Sequence, residues 1–229
     1  MIVIGNQTRP KLFDLAIKRP DVLYEKVVEI DERAIVEWSE LVEEGAEVSV
    51  DGHKLVKGTS GDVVRIITPL DKAEVRTKLQ ALYDEGFRSL AIVFMHSFTF
   101  RDHEIETAKI AEEIGFEHIS QSSDHQAMIR IVPRANSASA DAYLTPEIRR
   151  YLSQFAKGFV GHLEDETCQV SFMQSDGSLV DHRHFSGLRA ILSGPAGGVV
   201  GYAQTSYDAE EGTPVVGFDM VGHSIYVEV

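Results

Sequence analysis

Two short stretches near the end of the chain carry residues that could bind a phosphate. The first, "GFDMVGHS", places Asp219, Gly222 and Ser224 in a row after an apolar run. An aspartate at the end of a strand can hold Mg²⁺ through water, while backbone amides of the next turn contact phosphate oxygens. The alternative is a plain hairpin turn capped by Asp219. Val221 and Tyr226 favour that alternative, because such side chains resist the positive φ of tight turns.

The second stretch is the glycine-rich "ILSGPAGGVVGYAQ". Gly194, Gly197 and Gly198 would let the backbone pass close to a ligand, and the amides at the start of a helix bind anions. Pro195 suits the first turn of such a helix. The stretch is not a P-loop, because no Lys-Ser or Lys-Thr pair follows the glycines. Spacing alone favours the alternative, in which the glycines allow tight packing of a helix against a sheet.

Other polar residues form weaker patterns. His96 closes the apolar run "SLAIVFMHSF", and ligand sites of α/β proteins form at the ends of parallel strands. A partly buried histidine with satisfied hydrogen bonds is nevertheless the preferred interpretation. His182 and His184 have no evident third metal ligand, so a surface loop is favoured. Residues 102–104 are interpreted as the acidic start of a helix.

The stretch "IGNQTRPKLFDL" is dense in polar residues directly after a strand-like beginning. Arg9 could pair with a carboxylate through two parallel hydrogen bonds, and Asn6 lies close to it in sequence. A solvated loop explains the same residues equally well. No residue is identified as the one that activates water, and no G-x-S-x-G elbow is present.

Composition restricts the partners. The chain has 229 residues, a formal net charge of -14 and a single cysteine, Cys168. The negative charge argues against nucleic acid and against an anionic membrane surface. One cysteine excludes an internal disulfide and favours a reducing compartment, so a cytoplasmic location is predicted. No apolar run reaches the roughly 18 residues of a membrane span.

The elements that must position these residues alternate between strands and helices. The strand-like segments are "VLYEKVVEIDERAIVE", "GAEVSVDGHKLVKGTSGDVVRIITPLD", "SLAIVFMHSF" (a strand buried on both faces), "EHISQSS", "CQVSFMQSDGSLV" and a closing hairpin, "TPVVGFDMVGHSIYVEV". Helices are predicted at "DKAEVRTKLQALYDEGF", "DHEIETAKIAEEIGF", "RANSASADAYLTPEIRRYLSQFAKGF" and from near Gly194. This order predicts an α/β protein with a mixed sheet flanked by helices. Both ends of the chain begin or stop abruptly within strand-like segments, so further residues are expected beyond them.

Taken together, seven stretches occur in an order that resembles the hydantoinase A/5-oxoprolinase family, closest to its eukaryotic-type ATP-hydrolysing oxoprolinases. They are "IGNQTRPKLFDL", "KGTSGDVVRI", "HSFTFRDHE", "ANSASADAYLTP", "MQSDGSL", "ILSGPAGGVVGYAQ" and "VGFDM". The resemblance implies a partial actin-like ATPase (ribonuclease H-like) fold. It also implies residues 1–125 as the C-terminal part of the family's N-terminal domain, and 126–229 as the N-terminal part of its hydantoinase A/oxoprolinase domain.

The family's reaction is ATP-dependent hydrolysis of 5-oxo-L-proline, a small cyclic amide, to L-glutamate, with ATP and Mg²⁺ as cofactors. By resemblance, Asp219, Gly222 and Ser224 match the family's phosphate turn, with Asp219 as the metal ligand. Gly194, Gly197 and Gly198 match the glycine-rich segment beside it. Asn6 and Arg9 are the substrate candidates.

The chain departs from the family pattern directly after "GFDM". Where the family has Gly-Gly-Thr-Ser-Thr-Asp-Val, this chain has "VGHSIYV", which lacks one glycine, two threonine hydroxyls and an aspartate. The family's earlier phosphate turn, its adenosine-binding region and its large B-type portion are also absent. The expectation is a truncated 5-oxoprolinase that is inactive on its own. The alternatives are a non-enzymatic module that binds a full-length relative or a second copy, and a hydantoin-type hydrolase fragment.

Overall fold

The computed structural model describes residues 21–37, 48–159, 163, 170–221 and 224–228. No helix among those residues is long and apolar enough to cross a membrane. Asn6 and Arg9, Gly222 and His223 lie outside the described residues, so the predictions made for them stay predictions.

A four-stranded antiparallel sheet forms the first part of the fold. Its spatial order is β1-β4-β3-β2, and the strands are β1 Arg33–Glu37, β2 Val48–Val50, β3 His53–Lys57 and β4 Val63–Thr68. Asp51 (φ 53°) and Gly52 (φ 79°) make the tight turn between β2 and β3, as the Asp-Gly pair predicts. The strand predicted over residues 22–37 is wrong for its first part, since only the last five residues pair with a neighbour.

An α/β unit follows this sheet, with two helices packed against two parallel strands. The elements in chain order are α1 Lys72–Asp84, β5 Ser89–Ile92, α2 Asp102–Ile114 and β6 His118–Gln121. Asp71 caps α1 by accepting hydrogen bonds from the amides of Ala73 and Glu74, and Gly115 ends α2 in the left-handed conformation. The core of this unit contains Val75, Leu79, Leu82, Ile110, Ala111 and Phe116.

The apolar run "SLAIVFMHSF" contains a shorter strand than predicted. Strand β5 ends at Ile92, and the following residues form a loop before α2 begins at Asp102. His96 lies in this loop with φ 61°, a left-handed conformation that is uncommon for histidine. The run is apolar because the loop residues are partly buried, and periodicity alone does not separate that case from a strand.

The second part of the chain is built around one long helix. After the short helix α3 Ser122–His125, helix α4 covers Ile131–Ala156 and packs against β5, β6 and the next helix, α5. The remaining elements are β7 Ser171–Met173, β8 Leu179–Asp181, α5 Gly187–Ala190, α6 Ser193–Thr205, β9 Gly217–Val221 and β10 Ser224–Glu228. Strands β7 and β8 form one antiparallel hairpin, and β9 and β10 form another.

Gly187, the first residue of α5, lies directly against α4. A Cβ added at this position would lie 2.4 Å from Leu144 Cβ and 2.6 Å from the backbone nitrogen of Thr145. We expect Gly187→Ala to lower the free energy of unfolding by about 1–3 kcal/mol, because the backbone of α4 cannot give way. Urea unfolding followed by circular dichroism measures this change.

Gly201→Ala is the matched control, because nothing lies within 4 Å of its added Cβ in α6. We expect this variant to keep its stability or to gain up to about 1 kcal/mol from helix propensity. Equal losses of stability in both variants would contradict the close approach of α4 and α5.

Candidate functional site

A buried ion pair lies at the carboxyl ends of the parallel strands β5 and β6. Arg134, from the first turn of α4, and Glu104, from the first turn of α2, are both 0% exposed. The Arg134 guanidinium donates to the carbonyl of Phe94 at 2.9 Å and to the hydroxyls of Ser97 and Ser122. Its Nη1 atom is 3.8 Å from Glu104 Oε1. We call these four side chains, Ser97, Glu104, Ser122 and Arg134, the Arg134 cluster.

The Glu104 carboxylate accepts three hydrogen bonds from protein groups. Its carboxylate accepts from the amide of Phe94 at 3.0 Å, from the Ser122 hydroxyl at 2.6 Å and from the amide of Ser123 at 2.9 Å. Burial lowers the pKa of Arg134, and the charge of Glu104 opposes that effect. The pair therefore ties together the loop after β5, the start of α3 and the start of α4.

Three polar atoms around this cluster have no hydrogen-bond partner among the described residues. They are Nδ1 of His96, Oε1 of Gln121 and Nε of Arg134. Burial lowers the pKa of His96, and the positive charges of Arg33 and Arg134 lower it further, so its imidazole is neutral at pH 7. The sequence predicted a histidine with all its hydrogen bonds satisfied, but Nδ1 of His96 has no partner among the described residues.

A second buried network is centred on Asp141 of α4. One carboxylate oxygen is 2.9 Å from His118 Nε2 and 3.5 Å from His125 Nε2, and the other accepts from the Thr145 hydroxyl at 2.8 Å. Burial raises the pKa of Asp141, but the hydrogen bonds from His118 and Thr145, helped by the charges of the two histidines, lower it to about 2. Asp141 is therefore ionised at neutral pH.

Ser120, His125 and Asp141 look like a nucleophilic triad but do not have its geometry. The Ser120 hydroxyl is 2.6 Å from His125 Nε2, and Asp141 faces that same nitrogen. In a working triad the carboxylate binds the opposite ring nitrogen, so that the imidazole can take the hydroxyl proton. Ser120 is also only 2% exposed. These residues hold β6, α3 and α4 together and are not placed for nucleophilic catalysis.

The Asp141 network continues to the glycine-rich helix. The Thr145 hydroxyl accepts a hydrogen bond from the amide of Gly187 at 2.8 Å, which fixes the start of α5. Helix α6 begins at Ser193, close to the predicted position, with Leu192 at the N-cap and no side-chain cap hydrogen bond. Nothing lies within 4 Å of a Cβ added at Gly194, so tight packing does not explain this glycine.

The strands on either side of the predicted phosphate turn, β9 and β10, pair in antiparallel fashion. Asp219 is the third of the five residues of β9 and lies opposite Tyr226, while Ser224 pairs with Val221. The aspartate is therefore in the middle of a strand rather than at its end. Gly197 and Gly198 lie inside α6, and a Cβ at Gly197 would only touch Met173 at 4.0 Å.

Metal ligation by histidine finds no support among the residues placed by the structure. His182 and His184 lie in a single 3₁₀ turn, and no group of three or more His, Cys, Asp or Glu side chains is arranged for a metal there. A single carboxylate is compatible with Mg²⁺, because this ion is commonly held by one or two carboxylates together with phosphate oxygens and water.

Sequence reasoning missed the two buried networks, although a signal for them exists. The buried residues of α4 are spaced by four, three, four and seven positions, as one helical face requires: Arg134, Ala138, Asp141, Thr145 and Leu152. Three of these residues are polar. A buried helix face of this kind indicates fixed partners for its polar groups, but it does not name them.

Comparison with known proteins identifies two family models on this chain. One, described as the hydantoinase/oxoprolinase N-terminal region, matches residues 1–115. The other, described as hydantoinase/oxoprolinase, matches residues 134–227. The two matched ranges contact each other through the Arg134 cluster, since Glu104 belongs to the first and Arg134 to the second.

Curated relatives match nearly the whole chain. A protein of Saccharomyces cerevisiae named 5-oxoprolinase is 49% identical over 224 residues, and 5-oxoprolinase 1 of Arabidopsis thaliana is 45% identical over 226 residues. These matches cover 97% and 98% of this chain, respectively. The chain spans 17% of the length of each of these relatives.

A solved structure, the ATP-dependent caprolactamase from Pseudomonas jessenii, has a similar fold. It superimposes with a TM-score of 0.60 and 20% sequence identity over 93% of this chain and 28% of the caprolactamase chain. This likeness confirms the predicted α/β fold class of the actin-like ATPase type.

From the burial of the Arg134 cluster, we expect that removing one of its charges lowers the stability of the fold strongly. We expect Arg134→Met to lower the free energy of unfolding by about 3–5 kcal/mol, because Glu104 would remain buried without its counter-ion. Urea unfolding monitored by circular dichroism measures the loss.

Arg101→Met is the matched control for that change. Arg101 pairs with Asp124 near the surface, and an exposed pair of this kind contributes at most about 1 kcal/mol. A similar small effect of both substitutions would show that the buried pair does not stabilise the fold.

The lowered pKa of Asp141 implies that the stability of the fold depends on pH. Its pKa is lowered to about 2 from the ordinary value of 3.8. The ionised carboxylate therefore stabilises the folded state above about pH 4, and that contribution disappears as the pH falls towards 2. We expect Asp141→Asn to reduce the free energy of unfolding by about 2 kcal/mol at pH 7. The difference between wild type and variant should shrink in urea titrations below pH 4, and a difference that stays constant with pH would contradict the assignment.

Proposed function

The chain belongs to the hydantoinase/oxoprolinase family, and from this membership we propose that it forms the phosphate-binding part of an ATP-dependent cyclic amide hydrolase. The observation that carries the proposal is the open start of α6. Gly194 is exposed, has free space where a Cβ would be, and follows an N-cap residue whose side chain makes no cap hydrogen bond. Backbone amides in such a turn are donors for an anion.

The proposed site joins α6 to β9. The Tyr202 hydroxyl donates to the carbonyl of Phe218 at 3.0 Å. The Tyr202 ring covers Gly217 so closely that a Cβ there would lie 2.2 Å from ring atoms. This contact holds the strand that carries Asp219 against the helix that carries the glycines. Asp219 would hold the Mg²⁺ ion, and Gly194, Gly197, Gly198, Gly222 and Ser224 would surround the phosphates.

ATP would supply the phosphoryl group that makes a stable ring amide reactive. The residues of this chain would bind and orient the phosphates, since phosphoryl transfer depends on positioning and charge neutralisation. The start of α6 fits such a role because it offers donors without a bulky side chain. Asn6 and Arg9 are proposed to contact the substrate.

The proposed substrate is 5-oxo-L-proline, which would be opened to L-glutamate. Relatives that carry the name 5-oxoprolinase are 42–49% identical to this chain. A hydantoin-type cyclic amide is the second substrate class that the family description allows. The identities favour the oxoproline.

We propose further that this chain alone does not turn the substrate over. It spans 17% of the length of the oxoprolinase relatives. Its "VGHSIYV" segment also lacks one of the two glycines, both threonine hydroxyls and the aspartate of the family pattern after "GFDM". Residues 1–125 and 126–229 are proposed as parts of two domains that meet at the Arg134 cluster.

Calorimetric titration of the purified chain with ATP, with and without Mg²⁺, tests this function. We expect saturable one-site binding that requires Mg²⁺, and binding at least about tenfold weaker for Asp219→Asn, the loss typical of one charge-assisted contact. Asp208→Asn is the control, since Asp208 caps the turn after α6 by accepting from the amide of Glu210.

A folded chain that gives no heat with Mg-ATP would contradict the nucleotide site. An ATPase assay with 5-oxo-L-proline completes the test, and we expect no rate above background. Turnover that depends on 5-oxo-L-proline would contradict the proposed inactivity of the isolated chain.

A further inference from the structure

The turn between β7 and β8 holds the start of α6 in place. This turn is the "QSDGS" segment, residues 174–178. Ser175 donates to the carbonyl of Arg189 in α5 through both its amide and its hydroxyl, each at 2.7 Å. The same hydroxyl accepts from the amide of Leu192, the N-cap residue of α6, at 2.9 Å. One side chain therefore bridges the end of α5 and the beginning of α6.

This bridge satisfies the amide of the N-cap residue Leu192 and leaves the next amides of α6 without a side-chain cap. A helix begins with several amides that have no partner within the helix. Ser175 satisfies the amide of the N-cap residue, and the first bond inside the helix runs from the Ala196 amide to the Leu192 carbonyl at 3.0 Å. The amides between them, those of Ser193 and Gly194, precede that first bond and belong to the turn proposed to receive the phosphates.

Hydrogen bonds within the turn itself fix its shape. Asp176 accepts from the amide and the hydroxyl of Ser178, at 2.9 and 2.6 Å, and these hydrogen bonds lower the pKa of Asp176. Gly177 supplies the positive φ of 80° that the turn requires. On the other side, Thr145 fixes the amide of Gly187, so α5 is held at both ends.

We propose that Ser175 is a positioning residue that fixes the first turn of α6 in the orientation in which its amides bind phosphate. The inference rests on the proposed function only for the identity of the ligand. The contacts that define the role of Ser175 lie entirely within this chain. Ser175 itself does not touch the nucleotide in this proposal.

Ser175→Ala and Ser178→Ala form a matched pair of variants. Both remove one hydroxyl from the same turn. Among the residues that the structure describes, however, the Ser178 hydroxyl bonds only with Asp176 and Gln174, within the turn. Hydrogen exchange of the intact chain, read over residues 190–200, is the first measurement, and Mg-ATP titration is the second. Ser175→Thr keeps a hydroxyl and serves as the rescue variant.

We expect amide exchange at the start of α6 to be about tenfold faster in Ser175→Ala than in wild type, as for the loss of one hydrogen bond. Ser178→Ala and Ser175→Thr should exchange like wild type over these residues. Mg-ATP affinity should fall by a similar factor in Ser175→Ala alone. Equal exchange in the two alanine variants overturns the proposal, and so does unchanged Mg-ATP affinity of Ser175→Ala when wild type binds.

The two proposals fail in different ways. If wild type binds no Mg-ATP, the proposed function is lost. Faster exchange confined to Ser175→Ala then still supports the positioning of α6 by Ser175. If wild type binds Mg-ATP and exchange is the same in both alanine variants, the proposed function stands and the role of Ser175 is lost.

Discussion

The buried ion pair between Glu104 and Arg134 is the interaction on which the rest of the described structure depends. Removing two charges from water costs several kcal/mol per ion, and only close hydrogen bonds offset that cost. Here Glu104 accepts from Phe94, Ser122 and Ser123, and Arg134 donates to Phe94, Ser97 and Ser122. These bonds fix the loop after β5, the start of α3 and the start of α4 at the same time. A shift of any one of these elements would remove part of the hydrogen bonding of a buried charge.

Buried polar residues on one face of α4 connect the ion pair to the elements near the proposed phosphate site. Arg134 and Asp141 are seven residues apart, about two helical turns, and Thr145 follows on the same face. Asp141 binds His118 of β6, and Thr145 binds the amide of Gly187. Helix α6 begins only six residues after Gly187. The hydrogen bond between Thr145 and Gly187 therefore also limits where the glycine-rich helix can lie. A second contact comes from the β7–β8 turn, where the Ser175 hydroxyl accepts a hydrogen bond from the amide of Leu192. A ligand at the start of α6 would therefore meet donors that are already in place, so little ordering would be needed on binding.

Local signals in the sequence predicted most of the elements, and non-local pairs explain what was missed. Asp71 caps α1 and Gly115 ends α2, and both are helix-end signals whose chemistry lies within a few residues of the chain. The strand predicted through His96 ended early, because a partly buried apolar loop has the same composition as a buried strand. Glu104 was interpreted as part of an acidic helix start. That interpretation was incomplete, since its partner Arg134 is 30 residues away and no local pattern joins them. The α/β class was predictable because strand and helix periodicities differ, whereas the partners of buried polar residues depend on the whole fold.

The charge of the chain explains why a positioned helix start matters for an anion. With a formal net charge of -14, the chain as a whole repels a nucleoside triphosphate. At the proposed phosphate site, local donors and a divalent cation would therefore have to outweigh this long-range repulsion. Backbone amides can do so because they carry partial positive charge and bring no counter-ion with them. The attraction between these amides and an anion depends on the direction of the N–H bonds and falls off within the first turn of the helix. A helix start that could tilt would therefore lose most of this attraction. If the proposed phosphate site binds through these amides, the hydrogen bonds of Thr145 and Ser175 would supply the support that such a site requires.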